Sequence, residues 1–356
     1  MSITVDPAQL EGYATQIERN AELFRSPFRA YCVAHCGHTD GMTGLLALAR
    51  PAVALARDSS ARLFDSGERE LFQVAVNLRA ASTAYRVGDA DAAERIWLTV
   101  PRDHAPQGYV EGDDARHPAD FRDPFVPALT PPRPRDEMAE AVVEARQHLG
   151  VIDNWLDRFA HFTLSADVLP QIVGDWGTLR VNADGYAALA GREGVQVLRA
   201  NLAYGMDSLA ASWDSAAATQ FAYTIRDRWL PAVDALQHFL QMHSEAFEWL
   251  AQEAETTLTA IVLALDFLKF WIVEKALRIL RLAGSLLGLG AVWVEIVELV
   301  SGVLTVWHEV TALFELLKLA FQGTVRRVEF AAAEVRVIDD LWLAPGGNRF
   351  DPLTVG

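Results

Sequence analysis

Apolar positions along this chain recur mostly at three- and four-residue intervals, the spacing of helices that bury one face. The first run is Leu10, Tyr13, Ala14, Ile17, Ala21 and Phe24, with Glu11, Gln16, Glu18 and Arg19 on the other side. Asp6 before Pro7 suits an N-cap followed by a proline in the first turn, and Gln9 stands where a capping-box partner belongs. Gly37 to Gly41 reads as a connection, and Pro51 predicts a break or kink in the pattern after it. From Glu68 towards Trp97 a second helix is expected, with Leu71, Val74, Ala75, Leu78 and Ala81 leading to Tyr85 on one face and Asp89 one turn further.

Eight prolines between Thr99 and Glu137 rule out a packed helix there, since each removes a donor and restricts the residue before it. That stretch is predicted to be a linker or an extended segment hugging the surface. Beyond it the pattern is helical again: Met138 to Leu149, a stretch through Trp155 and Phe159, and a long helix from about Trp176 to Leu209 loosened by Gly185, Gly191 and Gly194. Trp213-Asp214-Ser215 marks a turn, followed by Phe221, Ile225, Trp229, Ala232, Leu236, Phe239, His243, Phe247 and Leu250 at helical spacing, so a helical hairpin is expected.

Thr257 to Phe321 is the most apolar part. Its longest uncharged run, Leu282 to Val294, is shorter than the roughly 20 residues a bilayer span requires, and Glu295, Glu298, Glu309 and Glu315 interrupt the apolar pattern beyond it. Buried or oligomerising helices with a break around Gly284 to Gly290 are therefore expected in preference to a transmembrane hairpin. Strand-like alternation is confined to short pieces such as Val335 to Ile338. The fold class is all-α, an elongated bundle of long antiparallel hairpins, divided as 1–98, a Pro-rich linker 99–137, a second helical module 138–323, and an extension with a tail, 324–356.

Charge and composition narrow the function. A formal charge of -16, with no Lys/Arg cluster, argues against nucleic acid. The opening Met1-Ser-Ile-Thr-Val-Asp has no basic stretch leading into an apolar one, so a cleavable secretory leader is not expected. Two cysteines, Cys32 and Cys36, cannot supply a disulfide framework. With His35 and His38 they leave three readings: a compact metal site lacking a second ligand pair, a strained i,i+4 disulfide, or free thiols near a helix end. His238 and His243 are five apart with no Glu after His238, and His308-Glu309 lacks a second histidine. No nucleophile elbow or phosphate loop is present, so catalytic residues, metal and cofactor are all absent from the expectation.

Val5-Asp6-Pro7-x-x-Leu10, two helices and Tyr85-x-x-x-Asp89 resemble the PE-like or EspC-like part of actinobacterial type VII (ESX) secretion substrates. Trp213 at a hairpin tip, followed by Ala216-Ala217-Ala218 and Phe221, is similar to the Trp-x-Gly part of the PPE-like module with which EspB-like proteins fuse it. The resemblance covers roughly residues 1–97 and 176–250. It implies a non-enzymatic protein exported folded, without a cleavable signal peptide, to the cell envelope or beyond. The implied export signal is composite, Tyr85 and Asp89 on one side and Trp213, Asp214 and Ser215 on the other, and is read by the secretion ATPase or a chaperone. Ser215 stands at the family's glycine position; serine can cap a helix but is costly in left-handed geometry. Tyr223 to Asp227 repeats the Tyr-x-x-x-Asp spacing just after the turn. Further expectations are a homo-oligomer or helical partner protein, and membrane contact by residues 257–321 as a membrane-active or pore-forming protein. The targeting region of a polymorphic toxin is the weakest alternative, since the stretch after the last helix is far below the ~100 residues of a domain.

Overall fold

The computed structural model describes residues 4–99, 121–134, 138–160, 163–283 and 289–342. It is an all-α bundle. Helix α1 (Pro7–Leu23) is followed by a wide turn at Phe24–Arg29, a short α2 (Ala30–His35), a tight helical turn at Gly44–Ala49 and the long α3 (Arg50–Thr99). The second half contains α4 (Ala139–Ala160), α5 (Ser165–Ile172), α6 (Gly177–Ala190) and α7 (Gln196–Ala210). Helix α8 (Ala216–Tyr223) then passes through a wide turn at Thr224–Trp229 into α9 (Leu230–Ala283), and α10 (Leu289–Trp342) ends the described chain. Two two-residue strands, β1 (Thr4–Val5) and β2 (Trp213–Asp214), pair antiparallel.

Asp6 caps α1 as its sequence context predicts, accepting the Ala8 N–H at 3.0 Å. The reciprocal half of the capping box is replaced, because the Asp6 N–H donates instead to Ser212 O at 3.2 Å and prolongs the strand pair. α1 and α3 run antiparallel. Arg86 reaches Glu11 at 2.6 Å, Ser82 Oγ donates to Pro7 O at 2.8 Å, Arg79 holds Glu18, and Arg29 meets Asp65 at 2.8 Å near the other end.

Pro51 neither breaks nor kinks a helix. It sits in the first turn of α3, where its missing N–H has no intrahelical partner to lose, so the helix starts at Arg50 rather than Glu68. The single helix expected from Trp176 to Leu209 is two, α6 and α7. Gly191 ends α6 in an extended conformation, and Val195 N–H returns to Leu189 O at 2.9 Å. A Cβ on Gly194 would lie 2.0 Å from that same carbonyl, so the loop closes only on glycine. Val335 to Ile338 is helical within α10.

The described part of the Pro-rich stretch, residues 121–134, hugs the surface. Asp123 accepts from Arg19 at 2.8 Å and Asn20 at 2.7 Å, and Phe121 rests 5.5 Å from the Tyr13 ring. Asn201 clamps the Phe125 backbone from both sides, at 3.2 and 3.0 Å. Tyr31 O–H donates to Thr130 O at 2.7 Å, and burial pushes that phenol up to about 12.

α9 and α10 form an antiparallel hairpin whose register is set by large residues: Trp229 against Trp342 at 5.5 Å, Arg327 over Trp249 at 4.4 Å, Trp271 on Gly302, and Lys275 to Glu295 at 2.9 Å. A Cβ at Gly302 would meet the Trp271 ring at 2.1 Å, so this crossing also depends on glycine. One hydrophobic core extends from Leu10 to Trp342. Trp342 joins the two halves, packing on Phe24 at 5.7 Å as well as on Trp229. α10 crosses residue 323 without interruption.

With 54 residues, α9 alone is about 80 Å long. The Trp213 turn lies beyond its N-terminal end and the α9–α10 connection at its far end. Of the break expected around 284–290, residues 284–288 lie outside the described residues and 289–290 open α10. Both α8–α9 and α10 contain windows long and apolar enough to cross a membrane, and only 33% and 17% of those windows is buried. Much of the apolar surface therefore faces outward.

Candidate functional site at the Trp213 turn

The turn is built by the short strand pair. Val5 stands opposite Trp213 and Thr4 opposite Asp214. This ladder fixes Trp213 so that its indole points into the bundle and is only 4% exposed, while Asp214 faces solvent. The indole packs 5.6 Å from Phe221 of α8 and 6.4 Å from Tyr85 of α3, edge to face with the latter. Phe221 continues the stack to Tyr13 of α1 at 5.9 Å. Tyr13 in turn donates its hydroxyl to Leu202 O at 2.8 Å, and burial holds its phenol far above the usual tyrosine range. Tyr85 of α3 and Phe221 of α8 thus flank the indole directly, with Tyr13 of α1 and Leu202 of α7 behind Phe221, and the indole N–H finds no acceptor among the described residues.

Ser215 is the N-cap of α8. Its Oγ accepts the Ala218 N–H at 3.0 Å and lies 3.2 Å from the Tyr85 hydroxyl, so it bridges a helix start to a residue 130 positions earlier. Its backbone is extended, φ -166° and ψ 171°, so the strain expected for serine at this position does not arise. This turn needs no left-handed residue; a glycine here would supply neither the cap nor the Tyr85 contact.

The site residues expected from sequence separate clearly. Tyr85 contacts both Trp213 and Ser215, and Asp214 is the exposed member beside them. Asp89 is one turn beyond Tyr85 on α3, with its side chain outside the described residues. Tyr223, which opens the repeated Tyr-x-x-x-Asp spacing, is exposed, as is Asp227. A cavity of about 160 Å³ opens beside the turn, lined by Met206, Leu209, Trp213, Asp214, Ala222 and Arg226, with Arg226 paired to Asp207 at 3.0 Å. Sequence reasoning missed Thr4 and Val5 as strand partners. Two residues are too few for alternation to be visible, and Val5 was informative only as the residue before the cap.

Elsewhere, Cys32 and Cys36 are buried free thiols. Burial and a thiol–thiol hydrogen bond with Cys32 raise Cys36 well above its ordinary value. Its sulfur lies against Gly185 of α6, where a Cβ would come within 3.0 Å. His35, beside them, is lowered by partial burial and by His38. No group of three His, Cys, Asp or Glu side chains is arranged to hold a metal ion among the described residues. His243 is enclosed by Phe239 at 4.5 Å and Tyr186 at 5.2 Å, and burial pushes it down to about 3.

No family model matches the sequence, and no curated protein matches it.

Proposed function

We propose that this protein is a non-enzymatic substrate of a type VII secretion system, exported folded to the cell envelope or the exterior through a composite signal at the Trp213 turn. The observation that carries the reading is the contact of Tyr85 with both Trp213 and Ser215, residues that belong to separate halves of the chain. A signal of this kind exists only in the folded state, which is why the protein travels folded.

The burial of Trp213 assigns the roles within it. The indole holds the strand pair, α3 and α8 in register, and the exposed Asp214 with the α3 end beyond Tyr85 forms the surface that the secretion ATPase or a chaperone reads. Catalysis plays no part.

The test is secretion from a host carrying the cognate system, compared for the wild type, a Tyr85→Ala, Trp213→Gly double variant, and the milder Asp214→Lys and Trp213→Phe. The double variant and Asp214→Lys are expected to stay inside the cell, while Trp213→Phe, which keeps an aromatic ring in the packing, is exported. Circular dichroism checks that Asp214→Lys remains folded. Normal export of both the double variant and folded Asp214→Lys would overturn the proposal.

A further inference from the structure

We propose that the groove between the first third of α9 and the last third of α10 binds a small amphiphile with a single carboxylate head. The proposal is independent of the export reading.

The groove follows from the register of the hairpin. Trp229 on Trp342 and Trp271 on Gly302 fix that register, which sets Met242 level with Phe330 and Ala246 level with Arg327. A cavity of about 310 Å³ opens there, lined by Met242, Glu245, Ala246, Arg326, Arg327 and Phe330. Ala246 is buried and forms a floor with no long side chain to fill the space above it. Met242 and the exposed Phe330 make one end apolar. Arg326 and Arg327, one helical turn before Phe330, make the other end cationic. At roughly 30 Å³ for each non-hydrogen atom, a water's share of the liquid, the cavity has room for at least about ten such atoms.

Charge selects the head group. Arg327 lies 4.4 Å over the Trp249 ring. Arg326 is exposed and makes no ion pair or hydrogen bond with another described side chain, so its guanidinium donors are open. Glu245 stands on the same rim, where its carboxylate accepts from Gln241 Nε2 at 2.8 Å. Two guanidiniums against one carboxylate leave one positive charge at the groove, which matches a monoanion. A dianionic phosphate would turn its second charge towards Glu245. A carboxylate also fits the planar fork of Arg326 through two parallel N–H···O bonds, which a neutral or cationic head cannot accept in the same way. The tail of such a ligand lies along Met242 and Phe330 and takes their apolar surface out of water.

Isothermal titration calorimetry of the full chain with octanoate tests this, alongside octan-1-ol and octylammonium, which carry the same tail on a neutral and a cationic head. Octanoate is expected to bind saturably at one site, and the other two at least roughly tenfold more weakly. Arg326→Gln should weaken octanoate at least roughly tenfold, and Phe330→Ser should weaken it as well. Both positions are exposed, so the circular-dichroism spectrum of each variant should match the wild type. The comparison of the three probes on the wild type decides the matter even where a variant fails to fold. No saturable binding of octanoate below its micelle concentration, equal affinity for octan-1-ol, or full affinity in either folded variant would overturn the proposal.

Discussion

The two ends of this molecule use the same helical period to opposite effect. At the Trp213 end, α1, α3, α7, α8 and a strand pair converge, and every large aromatic of the cluster finds a ring or backbone partner. At the tip, α9 and α10 extend with few neighbours, and Phe270 and Trp293 are each 66% exposed. Periodicity alone does not distinguish them, because both contain apolar positions at three and four. The difference lies in the number of elements the topology delivers to each end. A closed end presents a surface of fixed shape, and an open end leaves its apolar stripe in solvent.

The sharpest way to break the comparison is to empty the closed end. Trp213→Ala removes a buried indole from between Tyr85 and Phe221 and should cost about 3–5 kcal/mol in a denaturant titration. The α1–α3 contacts near Arg86 and Ser82 should lose hydrogen-exchange protection first. A loss below about 1 kcal/mol would mean that the turn is no more integral than the tip.

His243, in the first third of α9, tests whether the ends are coupled. The folded His243 titrates at about 3 against the usual 6.5, so the unfolded chain binds the extra proton between those values. The stabilisation is complete above pH 6.5 and is lost as pH falls towards 3, by on the order of 3 kcal/mol at pH 4 for this one group. His243→Phe should flatten that part of the pH profile. If one core serves both ends, fluorescence near Trp213 and near Trp293 will report the same acid midpoint in single-tryptophan variants.

How much of the structure was legible in sequence depended on the range of the interaction. The α1 stripe, its Asp6 cap and the all-α class come from local spacing. Pro51 misled because a proline that breaks a helix and one that starts it look alike without knowing what precedes. The α6–α7 break was signalled by Gly191 and Gly194, but only the Leu189 carbonyl, brought close by the turn, makes glycine necessary there. Tyr85 and Trp213 could be paired beforehand through the resemblance to secretion substrates, never through periodicity, since no local rule spans that separation. The extended backbone of Ser215 is that of an ordinary N-cap, a local feature that the glycine of the resembled motif, with its left-handed geometry, obscured.

A smaller effect isolates that cap. Ser215→Ala removes both the acceptor for Ala218 N–H and the Tyr85 hydrogen bond, and should cost about 1 kcal/mol. Ser215→Gly should cost less on the helix side alone, and Tyr85→Phe should remove only the hydroxyl contact. A double-mutant cycle between Ser215→Ala and Tyr85→Phe measures the coupling across the closed end, and no coupling would reduce it to packing.

The smallest stability effect belongs to the open end, and there the smallness is the point. Leu263→Gln and Trp293→Gln alter side chains already in water, so the unfolding free energy of the monomer should move by no more than about 0.5 kcal/mol. Substitutions of comparable size at Ile261 or Leu299, on the buried faces of the same helices, should cost several times that by burying an unpaired amide. The contrast within one turn of helix is the test: if Leu263→Gln were as damaging as Ile261→Gln in dilute monomer, the stripe would already be covered within the chain, and the tip would be a second closed end.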